Sequence, residues 1–458
     1  KTLFPYTTLF RSWPVSVHLL TNTSCPVQQP SIPPAVSRVV GLDVHPDSFT
    51  ASILQGPTPL AAVELKTFNK VPIAQLASWA KKNTLPSDTL VLEASGNTFD
   101  AVRKLRAIER NALVLESVFI GKLKESHANN DRISATRIAR AYLCGNAKLV
   151  WVPDPLTQER RDLFHAHRRA VKGVTSANNS LSSYLSDNGV RLEKSLLDLG
   201  RDERRTAILK AETWNPMQTQ ILEIRLLDLE YHIELERRLA SLVAQQVLQD
   251  PKLLELTRLT GIRDVIAFAI GAVVGDINRF KSPKSLVKFV GLNPAFDDSG
   301  KGTKSGGIKG HGHKDLRALL IEAGHALLRS SKHPNSDWGR KLLGRKGEVS
   351  LVVAALARKL ITQVWYSLMG RTDPMEQAAK PMVQKIGKII SRVGQQGLDA
   401  LGITRKDARE QAMEILRTRK PGREYTLRNN PPAQDSGAQT QPPANEAGMT
   451  VPASVLAT

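Results

Sequence analysis

The sequence predicts an α/β domain on its N-terminal side, a helical middle, and a mainly α C-terminal domain with a helix-hairpin-helix-like element. Between residues 38 and 150, short apolar runs of strand length alternate with amphipathic helical spacing. From 155 to 250, apolar residues recur only at three- and four-residue steps. From 251 to 370 helical spacing returns, interrupted by glycines that mark turns.

The first strand is Arg38-Val-Val-Gly-Leu-Asp-Val44, an apolar run that carries one acid. Pro46-Asp-Ser48 turns it into a second strand, Phe49–Leu54, and Ala61–Thr67 supplies a third. Val71–Lys82 reads as an amphipathic helix. Thr89–Glu93 is another buried strand, followed by a Gly96-Asn97 turn and a helix over Phe99–Glu109. A strand at Ala112–Val118 and a helix at Asn130–Leu143 complete a mixed sheet covered by helices, residues 38–154. In the helical region 155–250, Ile224, Leu227, Tyr231, Leu235, Leu239 and Leu242 share one face. Their spacing fits a coiled-coil seam between subunits and equally a face packed on its own domain. A second compact domain occupies 251–370 and a helical extension 371–420, and the Pro-, Gln-, Asn- and Ala-rich stretch 421–458 is expected to be a disordered tail. Residues 1–37 are set aside as a leader outside the domains. Within them Pro5–Ser12 reads as a translated sequencing adapter, so residues 1–12 are taken as an artefact.

Charge narrows the function. Lys and Arg number 64 against 43 Asp and Glu, a net +21. A surplus of that size is the electrostatic footprint of a nucleic-acid binder, because cationic contacts to phosphate release counterions. Aromatic residues make up 5%, too few for base stacking to be the main source of affinity. Cys25 and Cys144 are the two cysteines, which excludes a disulfide framework and a cysteine-built zinc cluster. The apolar run Val265–Gly275 is too short to cross a bilayer, so no membrane span is expected. A reducing cytoplasm fits the two cysteines.

Three acids fall where a metal-dependent nuclease needs them. Asp43 lies within the first strand, where a carboxylate among Val and Leu is costly unless it meets a cation. Glu93 ends a strand of the same type, and Asp131 opens the helix that starts near Asn130. Converging carboxylates bind hard cations such as magnesium. Taken singly, Asp131 also reads as a helix N-cap and Glu93 as a strand end.

With these residues in view, the blocks Gly41-Leu-Asp-Val-His45, Leu92-Glu-Ala-Ser-Gly96 and Asn130-Asp-Arg-Ile-Ser-Ala135 resemble those of the insertion sequence 110 family of transposases. The resemblance implies a RuvC/RNase H-like N-terminal domain with an Asp-Glu-Asp-Asp tetrad that holds Mg2+. The third block of the family has two Asp three residues apart; here Asp131 fills the first position and Ser134 the second. A hydroxyl is a weaker magnesium ligand, though it can hold a metal-bound water.

A second set of blocks follows in the order the family has them. Leu256-Thr-Arg-Leu-Thr-Gly-Ile-Arg263 before Ile266–Val274 looks like a helix-hairpin-helix, whose turn can offer N–H groups to phosphate. Beyond it come Gly291-Leu-Asn-Pro294, Asp298-Ser-Gly300, Gly306–Gly312 and Leu316-Arg317, so the resemblance spans roughly residues 38–335. It implies that Ser299 is a nucleophile that links covalently to DNA phosphate, with Ser305 as the rival position. A serine hydroxyl needs a base, a metal or dense positive charge to attack, and Lys301, Lys304, Lys309 and Arg317 are the candidates to supply charge and hold nucleic acid. His311 and His313 have no ligand partners at metal spacing and read as phosphate contacts or exposed side chains.

The function expected is that of a DNA transposase or recombinase, acting by phosphoryl transfer. Its partners would be DNA, a structured guide RNA encoded by the element, and further copies of the chain as a dimer or tetramer. A RuvC-like junction nuclease and a nucleic-acid-binding relic impaired by Ser134 are the alternatives.

Overall fold

The computed structural model describes residues 37–122, 131–299, 302–308, 311–330, 333–371 and 379–418. The leader 1–36 and the stretch 419–458 lie outside them. The chain divides into two compact units, one from Lys1–Gln246 and Ala267–Lys281, the other from Val247–Ile266 and Ser282–Thr458.

The first unit is built on a six-stranded sheet. β1 (Ser37–Val44), β2 (Ser48–Gly56) and β3 (Val63–Pro72) form an antiparallel meander. After α1 (Leu76–Asn83) the chain enters β4 (Thr89–Glu93), parallel to β1. α2 (Thr98–Arg106) then leads to β5 (Asn111–Leu115), parallel to β4, and α3 (Ser117–Lys122) follows. α4 (Asp131–Leu143) and the short β6 (Leu149–Val150) complete the order β3-β2-β1-β4-β5-β6.

Both faces of the sheet are buried, which is why the middles of β1 and β4 carry apolar residues on both faces instead of alternating. Val40, Leu42, Leu90 and Leu92 meet Trp79, Val102 and Leu105 under α1 and α2. Val39, Val91, Leu54 and Leu115 meet Ile138 and Ala139 of α4 on the other face. Two expected boundaries move. β3 runs on to Pro72, so the first helix begins at Leu76 after a 3-10 turn at Ile73–Gln75. β5 stops at Leu115, where the chain turns: the Ser117 hydroxyl donates to Ala94 O at 2.6 Å, and Val118 points outward from α3.

Three helices follow, α5 (Pro155–Asp187), α6 (Arg201–Ala211) and α7 (Pro216–Gln249). The Asp154 side chain caps α5, accepting from Thr157 N at 2.9 Å, and Pro155 fills the first turn. Ala177, Leu181 and Leu185 of α5 pack against Ile208 and against Leu222, Leu226 and Leu229 of α7. The packed face of α7 is thus not the stripe singled out in the sequence. Of that stripe Ile224, Leu227, Tyr231 and Leu242 are 67%, 57%, 64% and 46% exposed, and Leu235 and Leu239 are half-buried.

Among its described residues the second unit is helical apart from one hairpin. α8 (Pro251–Leu256) is joined through residues 257–263 to α9 (Asp264–Val274), whose later residues belong to the first unit. α10 (Pro283–Val290) precedes β7 (Pro294–Ser299) and β8 (Gly302–Ile308), an antiparallel pair absent from the mainly helical expectation. Then come α11 (Lys314–Arg329), α12 (Pro334–Lys346), α13 (Val349–Leu368), α14 (Ala379–Leu401, broken at Gly394) and α15 (Arg405–Thr418). Leu327, Val352 and Leu356 centre the packing of α11 and α13, which approach closely at Gly324, where a Cβ would lie 2.8 Å from Val353 O. Among the described residues α13 alone has the length and hydropathy to cross a membrane; 61% of it is buried within the fold.

Candidate functional site

Register places the first two acids. Leu42 pairs with Leu92 across the parallel strands β1 and β4, so Asp43 and Glu93 stand one step further on, side by side at the same ends. Alternation along each strand puts them on the face of Val39, Gly41 and Val91, the one α4 covers. Carboxylates emerging together at the C-terminal ends of parallel strands are well placed to share a cation. Asp43 is one-fifth exposed, and His45 Nε2 approaches its Oδ2 at 3.7 Å.

The sequence between β4 and α2 builds a firm shelf beside Glu93. Thr98 Oγ1 donates to Glu93 O at 2.7 Å and lies 2.8 Å from Ser95 Oγ. Asn97 Nδ2 donates to His45 O at 2.8 Å, tying this turn to the end of β1. Asn97 and Thr98 were not singled out from the sequence, where they read only as turn and helix-start residues.

α4 carries the third block. Asp131 is its first residue and its side chain lies outside the described residues; Ser134 is half-buried on the same helix. The helix is pressed onto β1 at Gly41: a Cβ there would lie 2.0 Å from Ala135 O and 2.8 Å from Ala139 N. Its N-terminal turns are held from β3 by Glu64, which accepts from Arg132 at 2.9 Å and from Thr136 at 3.1 Å. A hydrogen bond from Thr67, with those from Arg132 and Thr136, holds the Glu64 carboxyl below the usual range. Glu64 is a positioning residue for the helix that bears Asp131, and no sequence motif marked it. Among the described residues no group of three His, Cys, Asp or Glu comes together as a metal site, and Asp131 is not part of that comparison.

In the second unit, the Gly291 turn and the loop before α11 close the base of the β7–β8 hairpin. Gly291 ends α10 in the left-handed region at φ 81°, and a Cβ on it would lie 1.8 Å from His311 O. Gly312, at φ 92°, abuts Gly291 in turn. Arg317 Nη1 donates to His311 O at 2.7 Å and to Val290 O at 3.4 Å. Arg317 therefore braces the hairpin base, a use its selection as a nucleic-acid contact did not anticipate. His313 is also structural: its Nδ1 accepts from Leu316 N at 3.3 Å and caps α11. That bond leaves the proton of the neutral ring on Nε2.

Ser299 pairs with Gly302 at the far end of this hairpin, Lys304 pairs with Asp297, and Ser305 pairs with Phe296. The side chains of Ser299 and Lys304 lie outside the described residues, as do Lys301 and Lys309 altogether.

Comparison with known proteins bears on both units. A family model, transposase IS116/IS110/IS902 family, matches residues 254–338. The chain is 25% identical over 276 residues to y4qE of Sinorhizobium fredii, named as a transposase (59% of this chain, 65% of that protein). It is 26% identical over 247 residues to the transposase for insertion sequence element IS1111A of Coxiella burnetii (52% and 65%). With the transposase for IS1328 of Yersinia enterocolitica it shares 23% over 341 residues, 71% of this chain and 95% of that one. Over residues 254–338 the chain thus matches the model of the IS110 family of transposases, and the relatives it resembles are named as transposases. It spans 65% of the length of the first two relatives, just under two thirds.

The matched segment takes in the 257–263 turn, the hairpin with Ser299, the His313 cap and Arg317. Asp43, Glu93 and Asp131 lie before it. Basic residues of the first unit are partly committed to the fold. Arg161 donates to Ala272 O and Val273 O at 3.0 and 3.3 Å and stacks on Trp151. Arg279 donates to Val274 O and Val273 O and also lies over the Trp151 ring. Burial, with Arg161 beside it, pulls Arg279 down to about 10. The pair caps the carbonyl end of α9, where positive charge meets the negative end of the helix dipole.

Proposed function

We propose that this chain is a DNA transposase that cuts and rejoins DNA at the ends of an insertion sequence. The reading is carried by one observation: Asp43 and Glu93 stand side by side at the ends of adjacent parallel strands, on the face covered by the helix of Asp131. The sheet order, an antiparallel meander followed by parallel strands, supports a RuvC-like domain, and the connection at 257–263 supports a helix-hairpin-helix element.

The donor set is all oxygen, which suits a hard cation. Asp43, Glu93 and Asp131, with the Ser134 hydroxyl, are the residues that would hold magnesium. Bound magnesium lowers the cost of charge on the attacking and leaving oxygens of a phosphate. The chain's own nucleophile is Ser299. Its Oγ–P bond forms as the P–O bond to the departing deoxyribose oxygen breaks, and the hydroxyl proton passes to that oxygen. Attack by the hydroxyl of an incoming strand reverses the exchange and frees the serine. Lys301, Lys304 and Lys309, close to Ser299 in sequence, supply charge to oppose phosphate, while Arg317 keeps the hairpin base in place. A guide RNA choosing the DNA ends, a homo-oligomeric assembly and a location at the nucleoid complete the proposal.

Strand exchange on DNA carrying the element's ends, with magnesium, tests it. Asp43→Ala, Glu93→Ala and Ser299→Ala each abolish product, and Ser299→Ala also removes the covalent protein–DNA adduct while DNA binding persists. Full activity in any variant overturns that residue's role. Magnesium-dependent nicking without an adduct identifies a junction nuclease instead. Salt-sensitive binding without turnover, cured by Ser134→Asp, identifies an impaired copy.

A further inference from the structure

The connection between α8 and α9 turns main-chain oxygens toward a single point. Thr257, Leu259 and Ile262 all accept hydrogen bonds from Lys385 Nζ of α14, at 2.6, 3.1 and 3.0 Å. Gly261 makes this convergence possible. Its φ of 93° lies in the left-handed region, and a Cβ on it would come within 2.7 Å of Ala323 O on α11. Carbonyl dipoles aimed at one point repel unless positive charge or water sits between them. Chains hold a dehydrated potassium or sodium ion in this way, with carbonyl oxygens replacing the ion's hydration shell.

Here the charge arrives on a four-carbon stem. The amine is largely buried; burial, reinforced by Arg263, draws it down to about 8, which leaves it an ammonium at neutral pH. α14 is fastened to the start of α9 a second time, through the Arg392 guanidinium bonded to the buried Asp264.

We propose that the carbonyls of Thr257, Leu259 and Ile262 form a monovalent-cation site, and that the Lys385 ammonium fills it as a tethered stand-in for potassium or sodium. Lys385 thereby sets the shape of the 257–263 turn without help from the ionic content of the medium. The proposal rests on the DNA-binding reading in one respect only: the 257–263 turn is the one that a helix-hairpin-helix element presents to phosphate, which makes Lys385 a positioning residue for DNA. The cation site itself is tested without DNA.

Melting temperatures of the full chain are compared in potassium, sodium and choline chloride at equal ionic strength and neutral pH. The wild type melts alike in all three. Lys385→Ala melts lower in choline and regains about 2–5 °C in potassium or sodium, as expected for a ligand that binds only the folded state. A Lys385→Ala chain indifferent to the cation overturns the proposal, as does a wild type with the same potassium shift. Failure of Lys385→Ala to fold in any salt overturns it too, since a stand-in must be replaceable. Amide exchange on the wild type is the second measurement: protection at 258–264 in choline equals that in potassium, and its loss in choline means that a free ion holds the turn. In the DNA arm, Lys385→Ala binds as the wild type does in potassium and more weakly in choline. Equal binding in both salts, with the melting difference intact, overturns the link to DNA and leaves the cation site standing.

Discussion

Gly41→Ala is expected to displace α4 and to damage activity more than its single methyl group suggests. The added Cβ would lie 2.0 Å from Ala135 O, where ordinary contact begins at 3.4 Å, so a separation of 1.4 Å must be found. Ala139 N, at 2.8 Å, blocks the neighbouring direction. Both atoms are main chain, and β1 is paired on both edges, so neither side can yield by a rotamer change. Overpacking of this kind costs about 1–3 kcal/mol, and rigid partners place it toward the upper end. A helix moved by about 1 Å also carries Asp131 off position, and misplacement on that scale can lower a rate by about a hundredfold. Gly96→Ala is the control, because nothing lies within 4 Å of its Cβ; it should be neutral or slightly stabilising. Urea unfolding of both variants, with strand exchange measured under conditions where both are folded, makes the test. Equal stability of Gly41→Ala and Gly96→Ala would refute the packing argument.

Other expectations follow from the same geometry. Glu64→Gln keeps the size of the side chain but removes the charge that meets Arg132; because Arg132 is 62% exposed, the loss of stability stays below about 1 kcal/mol. Strand exchange should fall by more than that, and an unchanged rate would show that Glu64 does not position α4. Arg317→Ala frees the carbonyls of His311 and Val290 and should cost about 1–2 kcal/mol, with amide exchange rising at the hairpin base before the rest of the second unit opens. His333 caps α12 through Nδ1, and burial holds its pKa below the ordinary histidine value. The folded state therefore binds fewer protons than the unfolded one once pH drops below that ordinary value, so stability present at pH 7 declines toward pH 5. His333→Asn, which can cap without titrating, should flatten that part of the melting profile; an unchanged slope sinks the assignment.

The strands of the first unit were legible because both faces are covered. A run such as Val39–Val44 has no reason to be so apolar unless helices lie above and below it, and the two cores divide its residues by parity. β6 was not legible, since Leu149 and Val150 form two residues of edge pairing with no pattern. The β7–β8 hairpin was hidden by its composition. A strand that reads Gly-Thr-Lys-Ser-Gly-Gly-Ile carries no hydrophobic period, and its place follows from the Gly291–Gly312 closure at its base. The acids were visible because each interrupts or ends an apolar strand or opens a helix. Glu64, Asn97 and Thr98 were not, because their partners are remote in sequence or main chain, which no local spacing records.

The positive charge calls for a finer argument than its total. Arg204 donates to Leu196 O and Leu199 O, Arg106 to Ala112 O, Arg161 and Arg279 to the end of α9, and Lys385 to the 257–262 turn. Each of these cations answers main-chain oxygen, so it adds to the net charge while serving the fold. Guanidinium suits this use, since its planar fork reaches two carbonyls at once and stays charged when buried. A surplus of +21 thus does not by itself single out the contacting residues. The charges left to meet phosphate must come from side chains with solvent access, and under the proposed function Lys301 and Lys304, next to Ser299 in sequence, are the candidates. Replacing Lys304 should therefore reduce the salt dependence of DNA binding, whereas replacing Arg161 should lower stability and leave that slope unchanged.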